Sequence, residues 1–206
     1  MSASSASPSR AELRDRLAAV LLDPETAAGL DVPGRIDAAV LVPLLIGGDG
    51  LKVVLTRRRD DLRKHAGEIS FPGGRQDPDE DLRATALREA REEIGLSPDD
   101  VELIGALQPT PTIATGFSVY PFVGLLDGGQ AWRPAEDEVA EVLELSLADL
   151  AAGYGRRRLL RRGLPIRTDT YVVDDNLVWG ATARMLTDLF RRLRSDPALP
   201  AAVGLA

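Results

Sequence analysis

The chain has no cysteine, one histidine and two lysines among its 206 residues. Without cysteine there are no disulfides and no thiolate metal sites, and the composition suits a reducing compartment, so a cytoplasmic location is expected. The single histidine, His65, cannot build a histidine-rich metal centre. It has no nucleophile elbow to pair with as a Ser/His/Asp triad would need, and it is expected to be a loop residue or at most a contact at the edge of a substrate. Aromatic residues make up only 4% of the chain, and Trp132 and Trp179 are expected to pack rather than to stack bases. No run approaches the ~18 apolar residues of a membrane span, and the opening MSASSASPSR lacks the apolar core of a secretory signal. A net charge of −7 argues against a general binder of nucleic acid or anionic membrane.

What remains is enough apolar residue for one sizeable core. Residues 1–8 are expected to form a disordered tail, 9–195 a single domain, and the Pro/Ala-rich stretch 196–206 a peripheral tail. Ser9 and Glu12 have capping-box spacing ahead of Leu13, Leu17, Val20 and Leu21, which predicts a first helix from Ser9 to Leu22. Two apolar runs, DAAVLVPLLI and LKVVLT, flank Gly47-Gly48-Asp49-Gly50 and predict a hairpin of buried strands. Further strands are predicted from Val101, from Phe117, near Glu141–Leu145 and from Asp169. A short helical turn is predicted at Ser146–Ala152 and a last helix over Gly180–Leu193. Strands interspersed with helices predict a layered α/β (α+β) domain. The run RRRLLRR, Arg156 to Arg162, lacks interleaved aromatics and is read as a solvated surface segment.

The densest chemistry lies in GRQDPDEDLRATALREAREEIGL, Gly74 to Leu96. Gly74 is followed after five residues by Glu80, after seven more by Arg88-Glu89, then by Ala90, Glu92-Glu93, Gly95 and Leu96. Glu89, Glu92 and Glu93 fall at i, i+3 and i+4 on one helical face, where like charges cost an isolated helix roughly 0.2–0.5 kcal/mol per pair. A hard divalent cation relieves that repulsion, and oxygen-only ligands favour Mg²⁺ or Mn²⁺. Ala86, Leu87, Ala90 and Ile94 form a neighbouring apolar stripe, so the helix can bury one side and present the acids at a cleft. Gly95 is placed to end the helix with a left-handed residue, and Leu96 to supply the apolar contact beyond the cap. Arg88, four residues before Glu92, is placed to pair with it and orient the carboxylates. The alternative meaning of such a stretch, a solvated acidic helix face, leaves the two spaced glycines unexplained.

With every spaced position met, this segment resembles the Nudix box. The resemblance implies the Nudix fold, a mixed β-sheet sandwiched between helices, and a metal-dependent hydrolase of a nucleoside diphosphate linked to another group. A second motif precedes the box: Leu55-Thr56, Arg58, Arg63, Gly67 and Phe71-Pro72-Gly73-Gly74. It resembles the signature of the coenzyme A pyrophosphatase branch, as do, more loosely, Phe117 to Gly124 and Val178 to Ala183. Members of that branch carry Ser or Ala where this chain has Arg59, and Val54 replaces a leading leucine. Arg57, Arg58, Arg59, Arg63 and Lys64 make a cationic segment suited to phosphates, with Arg58 and Arg63 on motif positions.

By resemblance, water attacks the diphosphate of coenzyme A or a derivative, releasing 3′,5′-ADP and 4′-phosphopantetheine. The ion, Mg²⁺ or Mn²⁺, neutralises charge and acidifies water while a carboxylate takes the proton. Glu89 and Glu93 are the expected ligands, and Glu92 is a third ligand or the base. Arg88 supports them. In some Nudix enzymes an acid from a later loop joins the metal. Among Glu136, Asp137 and Glu138 the expected one is Glu138, the alternative being that these acids simply solvate a loop. Glu80 is expected in an outer, structural role, and Gly73 and Gly74 are expected to shape the backbone beside substrate and metal. The nearest alternative is the same chemistry on ADP-ribose or a dinucleoside polyphosphate. A nucleotide-sensing module without catalysis would predict broken carboxylates, and none is broken. The expected partner is a small-molecule nucleotide, with no nucleic acid and no membrane. Many relatives form homodimers, but no residue here marks an interface.

Overall fold

The structure, a computed structural model, describes residues 8–48, 50–61, 67–112, 116–161 and 164–205. Residues 1–7, and with them most of the expected N-terminal tail, lie outside it. So do Arg63, Lys64 and His65.

Helix α1 (Arg10–Val20) starts at the expected capping box: Glu12 N–H donates to Ser9 Oγ (3.3 Å) and Ser9 N–H to Glu12 Oε2 (2.9 Å). A short α2 (Pro24–Ala28), capped by Asp23, follows and was not expected. The next elements are β1 (Ile36–Gly47), β2 (Gly50–Arg58), β3 (Ile69–Ser70), β4 (Gly73–Arg75) and α3 (Leu82–Ile94). After them come β5 (Glu102–Ala106), β6 (Thr110–Pro111), β7 (Phe117–Asp127), β8 (Val139–Ser146) and α4 (Leu147–Ala152). The chain ends with β9 (Tyr154–Arg161), β10 (Leu164–Val173), β11 (Asn176–Trp179), α5 (Gly180–Leu193) and α6 (Leu199–Ala202).

The larger sheet is mixed, in the order β3-β2-β1-β7-β5, with β4 also on β1, β6 on β7 and β8 on β2. β1 and β7 run parallel in register from Ile36↔Phe117 to Ile46↔Asp127, while β1 and β2 close the predicted hairpin with Gly47 opposite Gly50. β1 is buried on both faces. Ala38, Val42 and Leu44 point into one core and Ala39, Leu41 and Leu45 into the other, which is why its sequence reads as an unbroken apolar run.

The two cores put helices on both sides of the sheet, as expected. α3 covers one face with Ala86, Ala90 and Ile94, all fully buried. α5 covers the other with Ala183, Leu186, Leu189, Phe190 and Leu193. No side chain caps the start of α5. It is held by packing, since each fully buried Leu or Phe contributes roughly 1.5–3 kcal/mol relative to exposure.

The structure adds a strand to one expected segment and corrects one expectation. Arg156 to Arg161 lie in β9, which pairs with β10 and, through it, β11 in a second antiparallel sheet, and Arg156, Arg157 and Arg158 are exposed there, as expected of a surface segment, although no strand was expected. Pairing to a partner strand decides this conformation, and composition does not reveal it. The stretch after Ser195 is not peripheral: Leu199 and Val203 are buried in the core beside α1, and Leu51 N–H reaches Val203 O at 3.5 Å. Two apolar residues four apart make one helical turn that fills the core, although their Pro/Ala-rich surroundings suggest a loose tail. Among the described residues no helix is long and apolar enough to cross a membrane.

Candidate active site

The site begins where β4 lies against β1. Gly73 opposes Val40 and Gly74 opposes Ala39. A Cβ at residue 73 would stand 2.4 Å from Ala39 O, and one at residue 74 would stand 2.5 Å from the Glu89 carboxylate. The two glycines thus let the turn press onto the sheet while α3 lowers Glu89 onto the turn. α3 itself is fixed at both ends. The Asp81 side chain accepts from Arg83 N–H (2.8 Å), and Gly95 is left-handed at φ 71° with Leu96 buried behind it, as predicted.

Arg88 is the hub of the acidic helix. Its Nε and Nη2 grip Glu80 at 2.9 and 3.1 Å. Nη1 reaches Glu89 (2.9 Å) and Glu92 (3.1 Å), and Nη2 also donates to Arg75 O (3.2 Å). The pairing with Glu92 was expected, but the stronger arm is the fork on Glu80, where both side chains are largely buried. Glu92 is 53% exposed, so its ion pair is the weak one. Arg88 holds the Glu80 carboxyl down at about 2, helped by Thr85 Oγ1 at 2.7 Å. Glu80 therefore stands in the structural place expected of it.

Glu93 differs from its neighbours. It is buried, 6% exposed, with Oε2 without a hydrogen-bond partner. Burial first, then the charges of Glu138 and Glu89, push its carboxyl up to about 8, against the opposing pull of Arg58 and the Gly73 N–H. Burial also raises Glu89, with Arg88 opposing and Glu92 and Glu138 adding to the rise. Glu138 comes from the loop before β8 and pairs with Arg58 at 2.8 Å. The fold thus brings Glu89, Glu93, Glu138 and Arg58 together and leaves Glu92 at the solvent edge. Helical spacing placed three glutamates on one face, yet one residue of helix is a 100° step, enough to separate Glu92 from Glu93. As the side chains stand, no three His, Cys, Asp or Glu among the described residues are gathered to hold a metal, and Arg88 and Arg58 engage Glu89 and Glu138.

Of the expected cationic segment, Arg57 is bound to Glu141 (3.2 Å) and Asn176 (2.6 Å), and Arg59 to Asp61 and Glu136 O. Arg58 alone of the three faces the buried glutamate. On the other side of Gly73 opens a cavity of about 620 Å³ between the two sheets and α5. Its walls are apolar at Phe71, Ile166, Trp179 and Met185 and charged at Glu68, Arg156, Arg167, Asp169 and Arg184, with Arg156 paired to Asp169 at 3.4 Å. Spacing did not reveal this cavity, since its walls come from segments a hundred residues apart. Trp179, expected to pack, lines it, while Trp132 packs on the α3 core and donates to Glu144 (2.9 Å).

A family model described as the NUDIX domain matches residues 35–163. The chain is 42% identical over 164 residues to uncharacterized Nudix hydrolases NudL from Salmonella paratyphi B and Salmonella newport, covering 78% of this chain and 84% of each relative. Among solved structures, a MutT/nudix family protein from Enterococcus faecalis shares the fold with TM-score 0.53 and 15% identity. The match covers 96% of this chain and 80% of that one. The chain belongs to the Nudix hydrolases, pyrophosphohydrolases that cleave phosphoric anhydride bonds. Members act on nucleoside diphosphates linked to another moiety, generally with a divalent ion such as Mg²⁺ or Mn²⁺.

Proposed function

We propose that this enzyme hydrolyses the diphosphate of coenzyme A and its derivatives, giving 3′,5′-ADP and 4′-phosphopantetheine. The observation that carries the reading is the position of Gly73. Its N–H bonds the buried Glu93 carboxylate, and its backbone also lines the 620 Å³ cavity, so an acidic centre and an organic-ligand cavity share one residue. The motif from Leu55 to Gly74 supports coenzyme A as the substrate. Apolar walls beside arginines suit a long uncharged arm ending at phosphates.

The residues fit a divalent cation. An orphaned carboxylate oxygen on Glu93, crowded by Glu89 and Glu138, is a set of hard oxygen donors whose mutual repulsion a cation relieves. Glu89 and Glu93 would hold it, joined by Glu138, with Glu92 completing the set or taking the proton of the attacking water. Bound there, Mg²⁺ or Mn²⁺ supplies charge neutralisation and an acidified water. Arg88 keeps Glu89 and Glu92 oriented, Arg58 and Arg63 receive phosphate, and Gly73 and Gly74 shape the floor.

The test is a hydrolysis assay with Mg²⁺ or Mn²⁺ on coenzyme A, ADP-ribose, NADH and diadenosine polyphosphates, with Glu93→Gln as control. Coenzyme A turnover by wild type and its loss in the control are expected. Equal rates in both would remove the proposed site, whereas turnover of ADP-ribose without coenzyme A would remove the substrate and leave the site.

A further inference from the structure

Arg59 is the one clear departure from the branch motif, and all three of its guanidinium nitrogens bond to the protein. Its Nε and Nη2 form a fork on Asp61 (2.9 and 2.8 Å), Nη1 donates to Glu136 O (2.5 Å), and its backbone N–H donates to Glu138 O (3.1 Å). The loop it holds is tied on the opposite side to the end of α3. Arg133 N–H donates to Ile94 O and Ala135 N–H to Glu93 O, both at 2.9 Å. Residues 133–138 therefore bridge the last turn of the glutamate helix and the end of β2. The β2–β8 register shifts between Arg57 and Arg58, a bulge that re-aims the strand end. There Arg58 meets Glu138 at 2.8 Å.

We infer that Arg59 is a positioning residue: by bonding Glu136 O with its guanidinium, beside a Glu138 whose carbonyl is held by the residue 59 backbone N–H, it fixes the loop so that the Glu138 carboxylate is presented to the Glu89–Glu93 face, and it raises that face's affinity for a divalent cation. The inference rests on the metal-site part of the reading above and is independent of which nucleotide is cleaved. Its chemistry follows from the geometry. An ion pair as exposed as Arg59–Asp61, 41% and 64%, contributes little to folding. The Asp61 fork instead orients the guanidinium so that its remaining nitrogen meets a loop carbonyl, a bond whose effect is on where Glu138 stands. Glu138 in turn acts electrostatically on both Glu93 and Glu89.

The experiment measures Mn²⁺ binding to metal-free full-length protein by titration calorimetry, with thermal melting alongside, for wild type, Arg59→Ala, Arg59→Lys, Asp61→Asn, Glu138→Gln and the Arg59→Ala/Glu138→Gln double variant. Removing an outer support of a metal ligand weakens binding by roughly 10–100-fold, so Arg59→Ala is expected in that range with its melting temperature unchanged. Arg59→Lys and Asp61→Asn should fall between it and wild type. The double variant should bind no more weakly than Glu138→Gln, because Arg59 acts through Glu138. Unchanged Mn²⁺ affinity in Arg59→Ala overturns the inference, as do additive losses in the double variant. If Arg59→Ala does not fold, the Asp61→Asn result decides alone. Should wild type bind Mn²⁺ and lose it in Glu93→Gln, with weakened binding in Arg59→Ala, yet leave coenzyme A intact, the substrate reading fails and the positioning role of Arg59 holds. Absence of Mn²⁺ binding in wild type overturns both the positioning role of Arg59 and the metal site.

Discussion

The carboxylate of Glu89 lies directly over the Cα of Gly74, closer than any side chain at residue 74 permits: a methyl there would sit 2.5 Å from the carboxylate. A glycine on a sheet-edge turn and a glutamate fifteen residues later are thus one structural unit. Gly74→Ala is expected to leave the fold intact, because β4 pairs through backbone atoms, while pushing Glu89 off its position. Hydrolysis should fall on the order of 100-fold, as for a displaced catalytic group, with an unchanged far-ultraviolet circular dichroism spectrum. Full activity in this variant would mean that the Glu89 position is irrelevant.

The fork of Arg88 on Glu80 has a pH signature. The Glu80 carboxyl sits at about 2 in the folded protein against 4.5 unpaired, so its contribution to stability is complete above pH 4.5 and is lost as pH falls towards 2. Glu80→Gln should be less stable than wild type at pH 7, with the gap closing over that window in urea titrations. A gap that persists at pH 2 would assign the effect to packing. Arg88→Lys, which cannot fork, should lose most of the same stability.

Glu93 should trade stability for activity. A buried carboxyl with an orphaned oxygen and two carboxylate neighbours costs the metal-free fold energy. Glu93→Gln is therefore expected to stabilise the metal-free protein by roughly 1–3 kcal/mol at pH 7 while abolishing hydrolysis. Denaturant midpoints in the presence of a chelator measure the first effect, and a less stable variant would contradict it.

Away from the site, Tyr171 is buried with its hydroxyl 2.8 Å from Thr187 Oγ1 and its ring stacked on Phe190. Burial first, opposed by the Thr187 bond, pushes the phenol up to about 12 from 10.0. Its share of stability is thus complete below pH 10 and lost as pH rises through 12. Tyr171→Phe should cost roughly 0.5–1.5 kcal/mol at pH 7 and flatten that alkaline loss. An alkaline limb identical to wild type would place its origin elsewhere.

The box was legible because its constraints are local. Glu80, Arg88, Glu89, Glu92 and Glu93 relate to one another by helical repeat, and Gly95 by the geometry of a helix end, all over a few residues of chain. The same holds for the capping box at Ser9 and the hairpin at Gly47–Gly50. Signals failed where composition masked the conformation or where the partner was distant. Arg156 to Arg161 carries charge that hides a strand, although its partner β10 follows at once with Leu164 opposite Arg161. Leu199 and Val203 look like a tail until the core beside α1 takes them in.

The amino-acid sequence by itself therefore determined the family, the strand–turn–helix unit and the identity of its acids, since each follows from short-range periodicity and backbone chemistry. Only the tertiary structure decided how those acids differ. Burial isolates Glu93, solvent screens Glu92, and Arg88 takes hold of Glu80 more firmly than of Glu92. It also carried Glu138 to the helix through a loop that Arg59 secures, and set a cavity against Gly73. The reason is physical: helical spacing fixes direction around an axis, whereas burial and the company of distant charges depend on what the rest of the chain packs against that axis.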